Sequence, residues 1–143
     1  VVHVEEYDEQ LCAIKFYPKC LRKSEFKYNK IINKGDVINV LMSVASVIPH
    51  LLQENTKFSF GFVGSRSVNT TNNYTEHFIA NKRYRIYSEL IKQVIGDRTF
   101  VHIEYEQISG YLLLNKAAGD IDDKENKIKK MLNNIYTFVE ELQ

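Results

Sequence analysis

The chain has no tryptophan, two cysteines, two prolines and six glycines in 143 residues. So little Gly and Pro excludes collagen-like and Pro/Gly-rich disordered sequence. Two cysteines are too few for a disulfide-knit secreted scaffold. Cys12 falls in an alternating strand pattern and Cys20 follows Pro18 in a turn, so both are expected as reduced cytoplasmic thiols. No apolar run approaches the roughly 18 residues a membrane helix needs, and no membrane association is expected. The opening residues, Val1 to Glu6, lack the basic-then-apolar pattern of a signal peptide. Because the chain opens on Val1, a trimmed leader stays open, and the expected location is the cytoplasm.

Charge of one sign is also lacking. There are 19 Lys and Arg against 18 Asp and Glu, whereas dedicated nucleic-acid binders are usually more basic. The common chemical motifs are absent: there is no P-loop, G-x-G-x-x-G, H-E-x-x-H, C-x-x-C or G-x-S-x-G. The four histidines, His3, His50, His77 and His102, never stand at the i, i+4 spacing of a helical ligand pair, so no metal and no cofactor is expected.

What is present is the hydrophobic periodicity of one ordinary domain spanning 1–143. Cys12, Ile14 and Phe16 alternate with Ala13, Lys15 and Tyr17 as a half-buried strand that Pro18 ends. A second strand is expected over Glu25 to Ile32, paired with the first as a hairpin. A weak strand pattern also lies over His3–Tyr7. Asp36 is placed to cap a helix carrying a wide apolar stripe from Val37 to Leu52, with Pro49 kinking it. Phe58 to Val63 alternates as a buried strand, its phenylalanines in the core. Residues 67–77 form the longest polar stretch and are expected to be poor in regular structure.

A helix follows from about Phe78 to Ile95, its expected buried stripe being Ile79, Ile86, Leu90, Ile91, Val94 and Ile95, with Gly96 as its stop. Two strands, Thr99–Glu106 and Ser109–Lys116, form a hairpin, and the run Tyr111 to Leu114 marks the second as central or covered on both sides. His102, Glu104 and Glu106 fall on the other face of the first, expected to meet solvent. A last helix begins near Asp122, which pairs with Glu125 in a variant capping box. The order β-β-(β)-α-β-α-β-β-α, with the bracketed strand's place open, predicts an α+β fold with a mostly antiparallel sheet and helices mainly on one face.

The segment richest in chemistry is Gly64-Ser65-Arg66, followed by Arg83-Tyr84-Arg85-Ile86-Tyr87. Three of the five arginines lie within 20 residues. A Gly-Ser turn at a strand end can present backbone N–H groups to an anion. Arg83 and Tyr87 share a helix face, while Arg85 is rotated about 200° from Arg83. Ser65, Arg66, Tyr74, Arg83, Tyr84, Arg85 and Tyr87 are therefore the candidate binding residues, and no catalytic set is assigned.

These stretches resemble small bacterial domains of unknown function common in Bacteroidota. The features shared are Asn33-Lys34-Gly35-Asp36, the Val/Leu-rich helix, Phe58–Ser65 and the Arg-x-Arg-Ile-Tyr helix. The resemblance covers about 10–140, with 67–77 longer here, and it implies no established activity. Some such genes look like parts of toxin–antitoxin or phage-defence loci. The leading expectation is a non-catalytic module that binds a protein partner. The alternatives are a metal-independent ribonuclease toxin, acting through Arg, Lys and Tyr groups, and a single-strand nucleic-acid binder stacking bases on Tyr74, Tyr84 and Tyr87. Whether the protein is an enzyme stays open.

Overall fold

Alternating residues at the N-terminus form the first hairpin. Strand β1 (Val2–Tyr7) pairs antiparallel with β2 (Leu11–Phe16), from Val2 opposite Phe16 to Tyr7 opposite Leu11. The computed structural model describes residues 1–16, 19, 22–25, 27, 37–64, 68–69, 71–77 and 79–135. The expected hairpin of 11–16 with 25–32 is corrected: β2 takes Val2–Tyr7 as its antiparallel partner, and Glu25 and Lys27 lie in turns. The rest of 25–32, Pro18, Cys20 and the proposed cap Asp36 lie outside the described residues. The turn between the strands holds Glu9 and Gln10 at φ of 61° and 56°. Two successive left-handed residues match the right-handed twist of a tight hairpin, so the nearest strand in sequence wins.

The apolar stripe after Asp36 forms two helices, α1 (Val37–Ala45) and α2 (Val47–Glu54). The break at Ser46 has a cause in Pro49, which cannot donate to the Ala45 carbonyl and whose ring crowds it. Strand β3 (Ser59–Val63) then runs parallel to β2, the helical pair serving as the crossover that parallel strands need. A two-residue ladder follows, β4 (Val68–Asn69) with β5 (Tyr74–Thr75), inside the stretch expected to lack regular structure. Helix α3 (Lys82–Ile95), β6 (Phe100–Tyr105), β7 (Gly110–Asn115) and α4 (Ile121–Ile135) complete the described fold. Asp120, not Asp122, caps α4, its Oδ1 accepting from the Asp123 N–H at 2.9 Å.

The sheet order is β1-β2-β3-β7-β6, with β2 and β3 the parallel pair. The fold is α+β with a mostly antiparallel sheet. One face packs Cys12, Phe58, Phe60, Phe100, Tyr111 and Leu113 against Ile48 of α2 and Tyr84 of α3. The other packs Leu11, Leu112 and Leu114 against Ile128 of α4. Both faces are covered, which is why every residue of β7 is buried. The buried stripe of α3 is Tyr84, Ser88, Ile91 and Ile95, one turn apart, while Ile79 and Val94 are exposed rather than buried as expected.

Candidate functional site

The start of α3 is built by one asparagine. Asn81 is buried and extended at the helix N-cap, and its Oδ1 accepts from the Tyr84 N–H at 2.9 Å. Its Nδ2 donates to the Gly64 carbonyl, and its own N–H donates to Ser109 Oγ at 2.8 Å. Gly64 N–H donates to the Ser109 carbonyl, and Ala80 N–H to the Glu106 carbonyl, each at 2.8 Å. These bonds tie the end of β3, the β6–β7 turn and the N-terminus of α3 into one joint. Gly64 is required there by space: a Cβ would stand 2.7 Å from both Asn81 Oδ1 and Tyr84 N. The Gly64 N–H is thereby used inside the fold, while the Ser65 and Arg66 N–H groups of the expected anion nest lie outside the described residues.

The expected binding residues separate. Ser65 and Arg66 lie outside the described residues. Tyr84 is only 2% exposed and belongs to the core, so its expected place on a ligand-facing surface is corrected. Tyr87 is half-buried, its ring 5.5 Å from that of Phe16 and 5.9 Å from that of Phe62. Burial pushes its phenol up, and Arg83 nearby acts in the opposite direction. Arg83 is half-buried and Arg85 exposed, as their opposed positions on the helix require. Tyr74 on β5 is 55% exposed.

Sequence reasoning missed Lys82. With the helix starting at Asn81 rather than near Phe78, Lys82, Arg83 and Arg85 all fall at its beginning, with no acidic residue in the first turn. The signal available was Asn81 itself, a strong N-cap residue. Lys82 and Arg85 are exposed and have no ion-pair partner among the described residues. The nearby carboxylate is Glu76, whose Oε1 accepts from the Lys82 backbone N–H at 2.7 Å. Val63 and Ile79 are 52% and 48% exposed. They adjoin the Gly64–Asn81 joint, and exposed Tyr74 stands two residues before Glu76, which bonds the start of α3.

A second polar group lies between α3 and the sheet. Glu104 is exposed as expected, while His102 is half-buried, because α3 covers part of that face. His102 Nδ1 is 2.5 Å from Tyr111 Oη, and Nε2 meets the Gly96 carbonyl. Glu104 pairs with Lys92 of α3 at 2.7 Å. Glu106 has left the strand for a short 3-10 turn. Burial, then the Glu104 and Glu106 charges, push the Tyr84 phenol up to about 12. Glu104 acts on that phenol as a hydrogen-bond acceptor as well as a charge, though not in close hydrogen-bonding geometry.

Among the described residues, no three His, Cys, Asp or Glu side chains converge so as to hold a metal ion. No described helix is long and apolar enough to cross a membrane. No family model matches the chain, and no curated protein or solved structure matches it significantly.

Proposed function

We propose that the chain is a non-catalytic interaction module that receives an acidic protein surface at the start of α3, beside the β4–β5 ladder. The observation that carries this reading is the placement of Lys82, Arg83 and Arg85 at a helix N-terminus with no acid in its first turn. The helix dipole makes that end positive, so each exposed cation there is unfavourable by about 0.3–1 kcal/mol at low ionic strength. Lys82 and Arg85 gain no ion pair within the described fold to offset that cost. A partner's carboxylates would relieve it.

The surroundings suit a protein better than a nucleic acid. Exposed Val63, Tyr74 and Ile79 offer apolar contact area beside the cations, and aromatic residues with arginine are what protein interfaces concentrate. Base stacking needs free ring faces, but Tyr84 is in the core and Tyr87 is packed against Phe16 and Phe62. A toxin–antitoxin or phage-defence complex is the setting in which such a partner would be met.

The test compares wild type with Lys82→Gln/Arg85→Gln, each used to recover bound material from cells of the source organism. The reading expects a protein recovered by wild type, retained after nuclease treatment, and lost from a variant that is still folded. Recovery of nuclease-sensitive RNA or DNA, with affinity falling steeply with salt, would replace it with the nucleic-acid reading. Cleavage of RNA in EDTA by purified wild type, absent from the variant, would replace it with the ribonuclease reading.

A further inference from the structure

The sheet ends on a long and regular edge. Among the described residues, β1 has a strand on one side only. Its pairs with β2 run without interruption from Val2–Phe16 to Tyr7–Leu11, so no bulge turns the outer edge away. It holds no proline and no lysine, two residues that edge strands use to block further pairing. Val2 is 43% exposed, and His3 is exposed as well. The outward backbone N–H and C=O groups of such a strand are a template for one more strand.

The side chains of β1 sort by face. Val4 packs on the side that α2 and α3 cover, and Tyr7 on the side that α4 covers. Even-numbered residues therefore share the first face and odd-numbered residues the second. An antiparallel copy of β1 keeps both faces in line when opposite residue numbers have an even sum. Centring that pairing on Glu5 sets two carboxylates opposite each other, which is destabilising. Centring it on His3 sets imidazole against imidazole. Centring it on Val4 sets Val4 against Val4, Val2 against Glu6, and His3 against Glu5 on both sides of the axis. An imidazole N–H can donate to a carboxylate whether the ring is neutral or charged. Within the chain His3 also lies opposite Lys15, which pairs with Glu5, so a second carboxylate arriving beside His3 meets a basic pair.

We propose that the protein self-associates as a two-fold dimer in which β1 pairs antiparallel with β1 of a second copy about Val4. The occupant of the edge is named by charge: in this register the strand is complementary to itself. Two five-stranded sheets join into one. The axis runs perpendicular to the sheet, so α3 lies on the same face in both copies. The dimer thus presents two basic helix starts on one side, and its existence does not depend on what they bind.

One strand pair is a small interface, so the test is sedimentation velocity from about 5 to 500 µM, with amide hydrogen exchange at both ends of that range. Wild type should dimerise, and alternate amides of β1 should exchange more slowly at the higher concentration. His3→Glu sets carboxylate against carboxylate, and Glu5→Lys sets an ammonium against the imidazole. Each should weaken the dimer about tenfold, with circular dichroism confirming the fold. An equimolar mixture of the two variants should restore it, because the new carboxylate then faces the new ammonium. The exchange measurement on wild type stands even if Glu5→Lys, which loses the Lys15 pair, does not fold. A wild type that stays monomeric throughout overturns the proposal. So do β1 amides protected equally at every concentration, which would mean that the edge is covered within the chain. So does a dimer that a folded His3→Glu leaves within about twofold of wild type, or a mixture of folded variants no tighter than either alone.

Discussion

Gly64→Ala places a methyl group where the joint between β3 and α3 has no room. The added carbon would meet Asn81 Oδ1 and Tyr84 N at 2.7 Å and Tyr84 Cβ at 3.0 Å. Neither Asn81 nor the α3 backbone is the far end of a flexible side chain. Asn81 is fixed by its bonds to Gly64, Ser109 and Tyr84, and Tyr84 N belongs to the first turn of the helix. Relief requires α3 to move outward or Asn81 to abandon its cap. Overpacking a tight site costs about 1–3 kcal/mol, and loss of an N-cap about 0.5–2 kcal/mol. The expected cost is therefore roughly 2–4 kcal/mol, a fall in melting temperature of roughly 8–15 °C for a domain of this size. Gly61→Ala is the internal control. Its added carbon would lie 3.6 Å from the Tyr111 carbonyl oxygen and 3.7 Å from a Leu11 methyl, which is ordinary contact. That variant should be neutral or gain up to about 1 kcal/mol from the reduced freedom of the unfolded chain. Urea denaturation followed by circular dichroism measures both. A Gly64→Ala variant within about 0.5 kcal/mol of Gly61→Ala would refute the joint as described.

Three further outcomes follow from the same structure. Gln10→Gly should stabilise the protein by about 0.5–1 kcal/mol, because Gln10 sits at φ 56° where glycine fits without the Cβ penalty; a loss on thermal melting would contradict this. Cys12 is buried, with its thiol pushed up to about 11 mainly by desolvation, so Cys12 should react with a thiol reagent only as fast as the protein unfolds. Burial raises the phenols of Tyr84, Tyr105 and Tyr111, and Glu125 accepting from the Tyr105 hydroxyl at 2.6 Å raises Tyr105 further. Unfolded tyrosines ionise near pH 10, so the stability held by these groups is full below that pH and is lost as pH rises above it. Ionisation of these three tyrosines, followed through their ring NMR resonances, should therefore appear together with loss of circular dichroism, and ionisation of any of the three in a fully folded protein at about pH 10–11 would contradict the burial.

The elements that sequence alone made legible are those whose pattern has one physical interpretation. Phe58, Phe60 and Phe62 alternate with small residues, and Tyr111 to Leu114 is apolar without alternation; these became β3 and the central β7. Strand β1 was faint because it lies at the sheet edge, where Glu5 and Glu6 share the strand with Val2 and Val4. Its turn gave no signal either, since Glu9 and Gln10 adopt a conformation usually assigned to Asn-Gly. For α3 the helical period was correct, and Ile91 and Ile95 pack on the core as expected, but Ile79 and Val94 do not. Two apolar arcs compete on that helix, and the one that is buried carries Tyr84 and Ser88, whose polar atoms disguise it.

The candidate site was legible to the extent that it depends on residue type. The arginine concentration was visible, as was the divergence of Arg83 from Arg85. The placement of Tyr84 in the core and the use of the Gly64 N–H by Ser109 depend on contacts between residues far apart in sequence. So does the cover that α3 gives His102. Alternation shows which residues share a face of a strand, but not which helix lies over it.

The central claim is that cations at the start of α3 are kept there for a partner and not for the fold. The melting temperature of Lys82→Gln/Arg85→Gln, measured on the isolated protein at low ionic strength, tests it most directly. Gln matches Lys and Arg in helix propensity, so the change isolates charge. Removing two exposed cations from the positive end of the dipole should raise the melting temperature by roughly 2–6 °C, with the gain shrinking as salt screens it. A fall of the same size would show that Lys82 and Arg85 serve the fold, and would contradict the account.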